Sequence, residues 1–293
     1  MNQDRLSFVS SGRRLEGTLR LPDRGVRTPC VVLCHGFGSY DDDIGGFVRM
    51  ADFLAESGLA SFRFSFSGSH PYPDKGTIRP ASQWVNDALA AVARVGQESC
   101  VDPARIGLLG ISVGGGVVVQ AAALSRGVRC VVALAPVADG AAWLEHRWNL
   151  TRGKAAWQQF VADVEADHRA VVLGQPSRRV RHFDVQALPD ETSWNALLER
   201  FPQALGELTL ESVWDTLTFK PAFYAHAITQ PLCLIHGDAD DSVPVEHSRR
   251  IHERAAGPKV LHVLPGAPHC PWETPFEPQV QVIALEWFQQ WLA

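Results

Sequence analysis

The tightest constraint on this chain is the pentapeptide Gly110-Ile111-Ser112-Val113-Gly114, which follows the apolar run 106–109 and leads into a small-residue stretch, 113–124. Run, turn and stretch read as a strand feeding a helix, with a serine at the apex. Such a turn strains the backbone of its central residue and leaves no space for side chains two positions before and two after. Gly110 and Gly114 meet that need. A G-x-S-x-G match arises by chance in roughly one chain of this length in ten, so its surroundings have to carry the reading.

Those surroundings alternate. Segments 6–10 and 14–21 read as an opening hairpin, and 30–34 as a short strand running into His35-Gly36-Phe37-Gly38. A helical pattern over 47–57 ends at Gly58; a strand at 59–64, a Ser/Gly/Pro-rich loop to Pro80 and a helix over 82–95 follow. After the serine turn comes a strand at 130–135 closed by Pro136. The pattern predicts an α/β fold, a mostly parallel doubly wound sheet. From 139 to 225 the chain turns predominantly helical and holds Trp143, Trp148, Trp157, Trp194 and Trp214, five of its nine tryptophans. This reads as a helical cap inserted into a core made of 1–138 and 226–293. The sheet resumes at 231–235, then come a helix at 246–256, a strand at 260–264 and a last helix at 277–292.

With 293 residues, 46% hydrophobic and 20% charged, the chain suits one large globular domain with an insertion. A net charge of -5 offers no basic footprint, so neither nucleic acid nor an anionic membrane surface is expected as a partner. Residues 1–21 lack an apolar stretch of signal length, and no later run approaches the roughly 18 residues of a membrane span. A cytoplasmic location is the expectation. Cysteines 30, 34, 100, 130, 233 and 270 show no metal-ligand or redox spacing and read as small core hydrophobes. Cys270 stands apart because it follows His269, where oxidation would affect activity. No dinucleotide fingerprint or P-loop occurs, so no cofactor and no metal are expected.

Open α/β sheets bind ligands beyond the carboxyl ends of their strands. Four turns there stand out: His35-Gly36-Phe37-Gly38, the serine turn, the loop from His236 to Pro244, and Pro265-Gly266-Ala267-Pro268-His269. A serine hydroxyl is a poor nucleophile unless a base is within hydrogen-bond reach and a carboxylate orients that base. Ser112, Asp240 and His269 supply these groups in a workable order. Together the four turns resemble those of α/β-hydrolase-fold serine hydrolases, with Gly110–Gly114 as the nucleophile elbow. Within that superfamily the chain is most similar to small bacterial carboxylesterases, feruloyl-type esterases and the catalytic domains of prolyl-oligopeptidase-like peptidases.

The resemblance implies Asp240 as the triad acid, four residues before the proline of D-x-x-V-P, with Asp139 a second candidate. Asp238 is expected to organise its loop and Asp241 to face solvent. His35 and His236, at strand ends, are assigned backbone hydrogen bonds and no catalytic role. The backbone N–H groups of Phe37 and Val113 are the candidate oxyanion hole, Val113 also opening a helix. Trp272 and Tyr40 are the substrate-pocket candidates, and Asp41, Asp42 and Asp43 border the expected mouth. The cap tryptophans would either line a pocket or dock on the core, while Trp287 and Trp291 belong to the core. Arg178, Arg179 and Arg181 with His182 read as a solvated face, with anion binding the alternative. The implied activity is metal-free hydrolysis of a small-molecule carboxylic ester through an acyl-enzyme. Amide or thioester cleavage, acyl transfer, carbon–carbon hydrolysis and a non-catalytic ligand sensor are the alternatives, and homodimer formation is left open.

Overall fold

The computed structural model describes residues 3–22, 27–44 and 46–293, so the first two residues of the segment read for a leader lie outside it. Its strands are β1 (Gln3–Ser10), β2 (Arg13–Arg20), β3 (Thr28–Cys34), β4 (Ala60–Phe64), β5 (Val101–Ile111), β6 (Cys130–Leu134), β7 (Arg179–Arg181), β8 (Glu207–Thr209), β9 (Leu232–Gly237) and β10 (Lys259–Leu264). Its α-helices are α1 (Gly46–Glu56), α2 (Val85–Val95), α3 (Val113–Leu124), α4 (Gly140–Thr151), α5 (Lys154–Val172), α6 (His182–Val185), α7 (Glu191–Arg200), α8 (Leu210–Thr218), α9 (Pro221–Tyr224), α10 (Glu246–Arg254) and α11 (Glu277–Leu292).

Eight strands form one sheet in the order β1-β2-β4-β3-β5-β6-β9-β10. The β1–β2 and β2–β4 pairs are antiparallel and all others parallel, as the alternating pattern predicts. Because successive side chains on a strand point to opposite faces, β3 feeds two cores. Cys30, Val32 and Cys34 pack with Trp84, Val117 and Val118, whereas Val31 and Leu33 pack with Phe47, Met50 and Phe288. Burial on both faces explains why the central strands read as continuous apolar runs. β3 and β5 are neighbours although β4 lies between them in sequence, which makes their junction a topological switch point. Cys34 pairs with Gly110 there, so the two turns that follow open side by side.

Two local features depart from the sequence reading. β5 starts at Val101 rather than at 106, because Val101 pairs with Thr28 across a register shift before the main ladder. Between β6 and β9 the chain forms helices α4 to α9, and β7 and β8 pair antiparallel there, three residues each. Strands that short carry no readable period. Among the described residues no helix is long and apolar enough to cross a membrane.

Candidate active site

Ser112 sits where β5 hands over to α3, with φ 58° and ψ -121°. A non-glycine residue with that φ is strained, and surrounding packing has to hold it. Its N–H donates to the Leu134 carbonyl at 2.9 Å, and its carbonyl accepts from Gly116 and Val137. A Cβ on Gly110 would come within 2.3 Å of the Gly114 oxygen, and one on Gly114 within 2.2 Å of the His35 oxygen. The two glycines therefore let the end of β3, the elbow and the first turn of α3 close on one another. Residues Val113 through Ala122 of α3 are all buried, which explains a helix with no polar face.

The three residues singled out from separate turns lie together. His269 Nε2 is 3.0 Å from Ser112 Oγ, and His269 Nδ1 is 2.7 Å from Asp240 Oδ2. A carboxylate only accepts, so Nδ1 carries the proton and Nε2 is free to accept from the serine. The other Asp240 oxygen accepts from the N–H groups of Ser242 and Val243 at 2.9 and 2.8 Å. Burial pushes the Asp240 carboxyl up, but His269, His236 and the Val243 N–H outweigh it and hold the group well below the ordinary aspartate range. Asp240 thus remains an anion at any pH where the imidazole works.

His236 takes a place in this cluster that sequence reasoning missed. Its Nε2 lies 2.8 Å from the Val243 carbonyl, as a backbone role required, and also 3.2 Å from Asp240 Oδ2. Both neighbours accept, so Nε2 carries the proton and Nδ1 accepts from Ser248 Oγ at 2.7 Å. The four-residue spacing in His236-Gly237-Asp238-Ala239-Asp240 was the available signal. Asp238 accepts from Gly266 N–H at 2.6 Å, Asp241 is exposed, and His35 donates to the Gly36 carbonyl at 2.8 Å while accepting from Phe66.

A cavity of about 120 Å³ opens at Ser112, bordered by Phe37, Asp43, Trp143, Gln186, Ser242 and His269 among others. Among the described residues no protein acceptor takes the Phe37 or Val113 N–H, which leaves both donors available beside the serine. The turn that presents Phe37 is gripped from two sides. On the core side Asp43 accepts from Gly36 N–H at 3.0 Å and from Trp272 Nε1 at 2.8 Å. From the inserted segment Leu205 N–H donates to the Gly38 oxygen at 2.7 Å, and the His182 ring fills the space a Gly38 side chain would take. The Phe37 ring stands edge-on to Trp143 and His182, with centroids 5.3 and 5.1 Å away.

Several expectations need correction. Trp272 does not border the serine cavity; its buried indole packs under Gly46 and Phe47 and is tied to Asp43. Tyr40 is also buried and meets the His70 ring instead, because the loop after the turn folds inward. Of its three aspartates, Asp43 reaches the cavity, whereas Asp41 pairs with Arg63 at 3.1 Å. Asp139 is not near the imidazole: it caps α4 at Ala142 N–H and pairs with Lys220 at 2.5 Å. Of the five tryptophans in the insertion, Trp143 borders the cavity; Trp148 stacks on Phe160 and Trp214 on His168. Arg178, Arg179 and Arg181 do form an exposed face, Arg178 paired with Asp167 and Arg181 with Asp184, and of that cluster His182 alone turns inward. Cys270 borders the cavity, but burial and then Asp43 push its thiol up to about 12, so it stays protonated and resists oxidation. Arg147, buried on α4, donates to the carbonyls of Gln186 and Asp241 and ties the insertion to the acid loop. The described residues contain no group of three or more His, Cys, Asp or Glu placed to hold a metal ion.

Comparison with known proteins gives this site its context. A hydrolase family model described as serine aminopeptidase, S33, matches residues 27–278. The chain is 24% identical over 282 residues to a 31.7 kDa protein of the traX-finO intergenic region of Escherichia coli, an alignment covering 94% of this chain and 95% of the other. The α/β hydrolase GrgF from Penicillium sp. sh18 has a TM-score of 0.81 at 19% identity, over 100% of this chain and 99% of that one. A monoacylglycerol lipase from Paleococcus ferrophilus has a TM-score of 0.69 at 21% identity, over 99% of each chain. These likenesses show the α/β-hydrolase fold.

Proposed function

The chain belongs to the serine aminopeptidase S33 family of hydrolases, and from that premise we propose that it cleaves small carboxylic esters through Ser112, His269 and Asp240. The observation that carries the reading is the unbroken hydrogen-bond chain from Ser112 Oγ through His269 to Asp240, 3.0 and 2.7 Å long. As Ser112 Oγ attacks the acyl carbon, its proton passes to His269 Nε2, and Asp240 stabilises the imidazolium. The tetrahedral oxyanion is received by the Phe37 and Val113 N–H groups at the positive end of α3. His269 then protonates the departing alkoxide, and an acyl-serine remains. Water attacks this ester while His269 takes its proton, and the acid leaves as Ser112 regains a proton.

The cavity supports a small acyl group. Its volume of about 120 Å³ is well below the roughly 300 Å³ at which drug-sized ligand pockets begin. The serine aminopeptidase family favours a second reading, cleavage of peptides at a free amino terminus. Such an enzyme has to hold the substrate's ammonium group, and Asp43 is the carboxylate bordering the cavity. Both its oxygens already accept hydrogen bonds, from Gly36 and Trp272, so esters are the better supported substrates. The decisive experiment sets p-nitrophenyl acetate, butyrate and octanoate beside aminoacyl-anilides. Acetate and butyrate should be turned over fastest, and Ser112→Ala should remove at least about 1,000-fold of that activity. Wild-type rates in the variant, or anilides preferred over esters, would overturn the proposal.

A further inference from the structure

A second cavity bordering the inserted segment does not contain the serine. About 370 Å³ in volume, it is bordered by Gln120, Asp139, Lys220, Phe223, Arg250 and Arg254, together with alanines 81, 138 and 222. Gln120 lies eight residues along α3 from Ser112, about 12 Å at the rise of a helix, so the two sites are separate. Asp139 opens the inserted segment, and Lys220 and Phe223 close it.

The charges here do not cancel. Asp139 engages Lys220 Nζ at 2.5 Å and Arg250 more loosely at 3.9 Å, and among the described residues Arg254 has no acidic partner. Three cations thus face one carboxylate. Beside them, Gln120 is 6% exposed, and its buried Oε1 has no hydrogen-bond partner, a cost a folded chain ordinarily avoids. The rest of the wall mixes the Thr218 and Tyr224 hydroxyl-bearing side chains with alanines, and Phe223 is 64% exposed, open to a ligand's hydrophobic body. A surplus of cations, an orphaned buried acceptor and an uncovered aromatic ring demand three features of one ligand: an anionic head, an apolar body and a hydrogen-bond donor.

We propose that this cavity binds a small aromatic carboxylate bearing a hydroxyl, its carboxylate held by Arg250 and Arg254, its ring against Phe223 and its hydroxyl on Gln120 Oε1. Arginine suits the head because its planar fork matches a carboxylate with two parallel hydrogen bonds.

The test is isothermal titration of the full chain with 4-hydroxybenzoate, benzoate, 4-hydroxybenzamide and inorganic phosphate. The 4-hydroxybenzoate should bind at one site, and the double variant Arg250→Gln/Arg254→Gln should weaken it at least tenfold while hydrolysing p-nitrophenyl butyrate at the wild-type rate. Gln120→Leu should abolish the preference for 4-hydroxybenzoate over benzoate. Undiminished binding in the double variant would place the ligand in the serine cavity and overturn the proposal. So would equal binding of the neutral amide, tighter binding of phosphate, or no binding at all.

Discussion

At the scale of single residues, the motif positions were legible because each follows a strand and each needs a particular residue type. Glycines 110 and 114 announce a backbone crossing, and the D-x-x-V-P spacing singles out Asp240. Their neighbours were not legible. Asp43 meets Trp272 across 229 positions, and nothing local in either segment announces that contact. Asp240→Asn should leave the geometry in place but hold His269 in the wrong tautomer, lowering kcat by about 10⁴-fold with little change in KM, as steady-state kinetics on a short-chain ester will show. Gly114→Ala should act differently. Its Cβ falls on the carbonyl of His35, which leads into the Phe37 turn, so melting temperature and kcat should drop together. Overpacking of this kind costs about 1–3 kcal/mol or more, read by denaturant unfolding.

At the scale of elements, the helical nature of the inserted segment could be read from composition, but not which of its helices faces the serine. That depended on α4. Asp139 caps it, Arg147 ties it to the acid loop, and Trp143 lies between them at 1% exposure against Phe37. The five tryptophans looked alike in sequence, and only packing separated the one bordering the cavity from those stacked within the insertion. Trp143→Ala should enlarge the cavity and raise activity on p-nitrophenyl octanoate relative to butyrate. It should also destabilise the fold by about 3–5 kcal/mol, the usual cost of truncating a buried tryptophan. An unchanged chain-length profile would mean that this indole does not limit the acyl group.

For the whole molecule, the buried histidines set an acid limit. Burial lowers His35 and His182 to about 4, outweighing their bonds to the Gly36 and Leu205 carbonyls, and burial with neighbouring charge does the same to His247. An unfolded histidine takes up its proton near pH 6.5, so between about 6.5 and 4 the unfolded chain binds more protons than the folded one. Their contribution is therefore fully present above about pH 6.5 and is lost as pH falls toward 4. Thermal melts should show a plateau above pH 6.5 and a steep decline below it, shallower in His182→Gln.

What the sequence by itself determined is the alternating sheet, the strained serine turn and the order of the residues bearing the chemistry. Those depend on local period, glycine placement and the residues that end strands, all of which are properties of short segments. Only the tertiary structure decided that Trp272 and Tyr40 turn inward, that Asp43 and His236 support the turn and the acid, and that a second, cationic cavity forms where the insertion leaves and rejoins the core. Each of these contacts joins segments distant along the chain, and whether a side chain faces water, core or cavity is decided by the packing that brings them together.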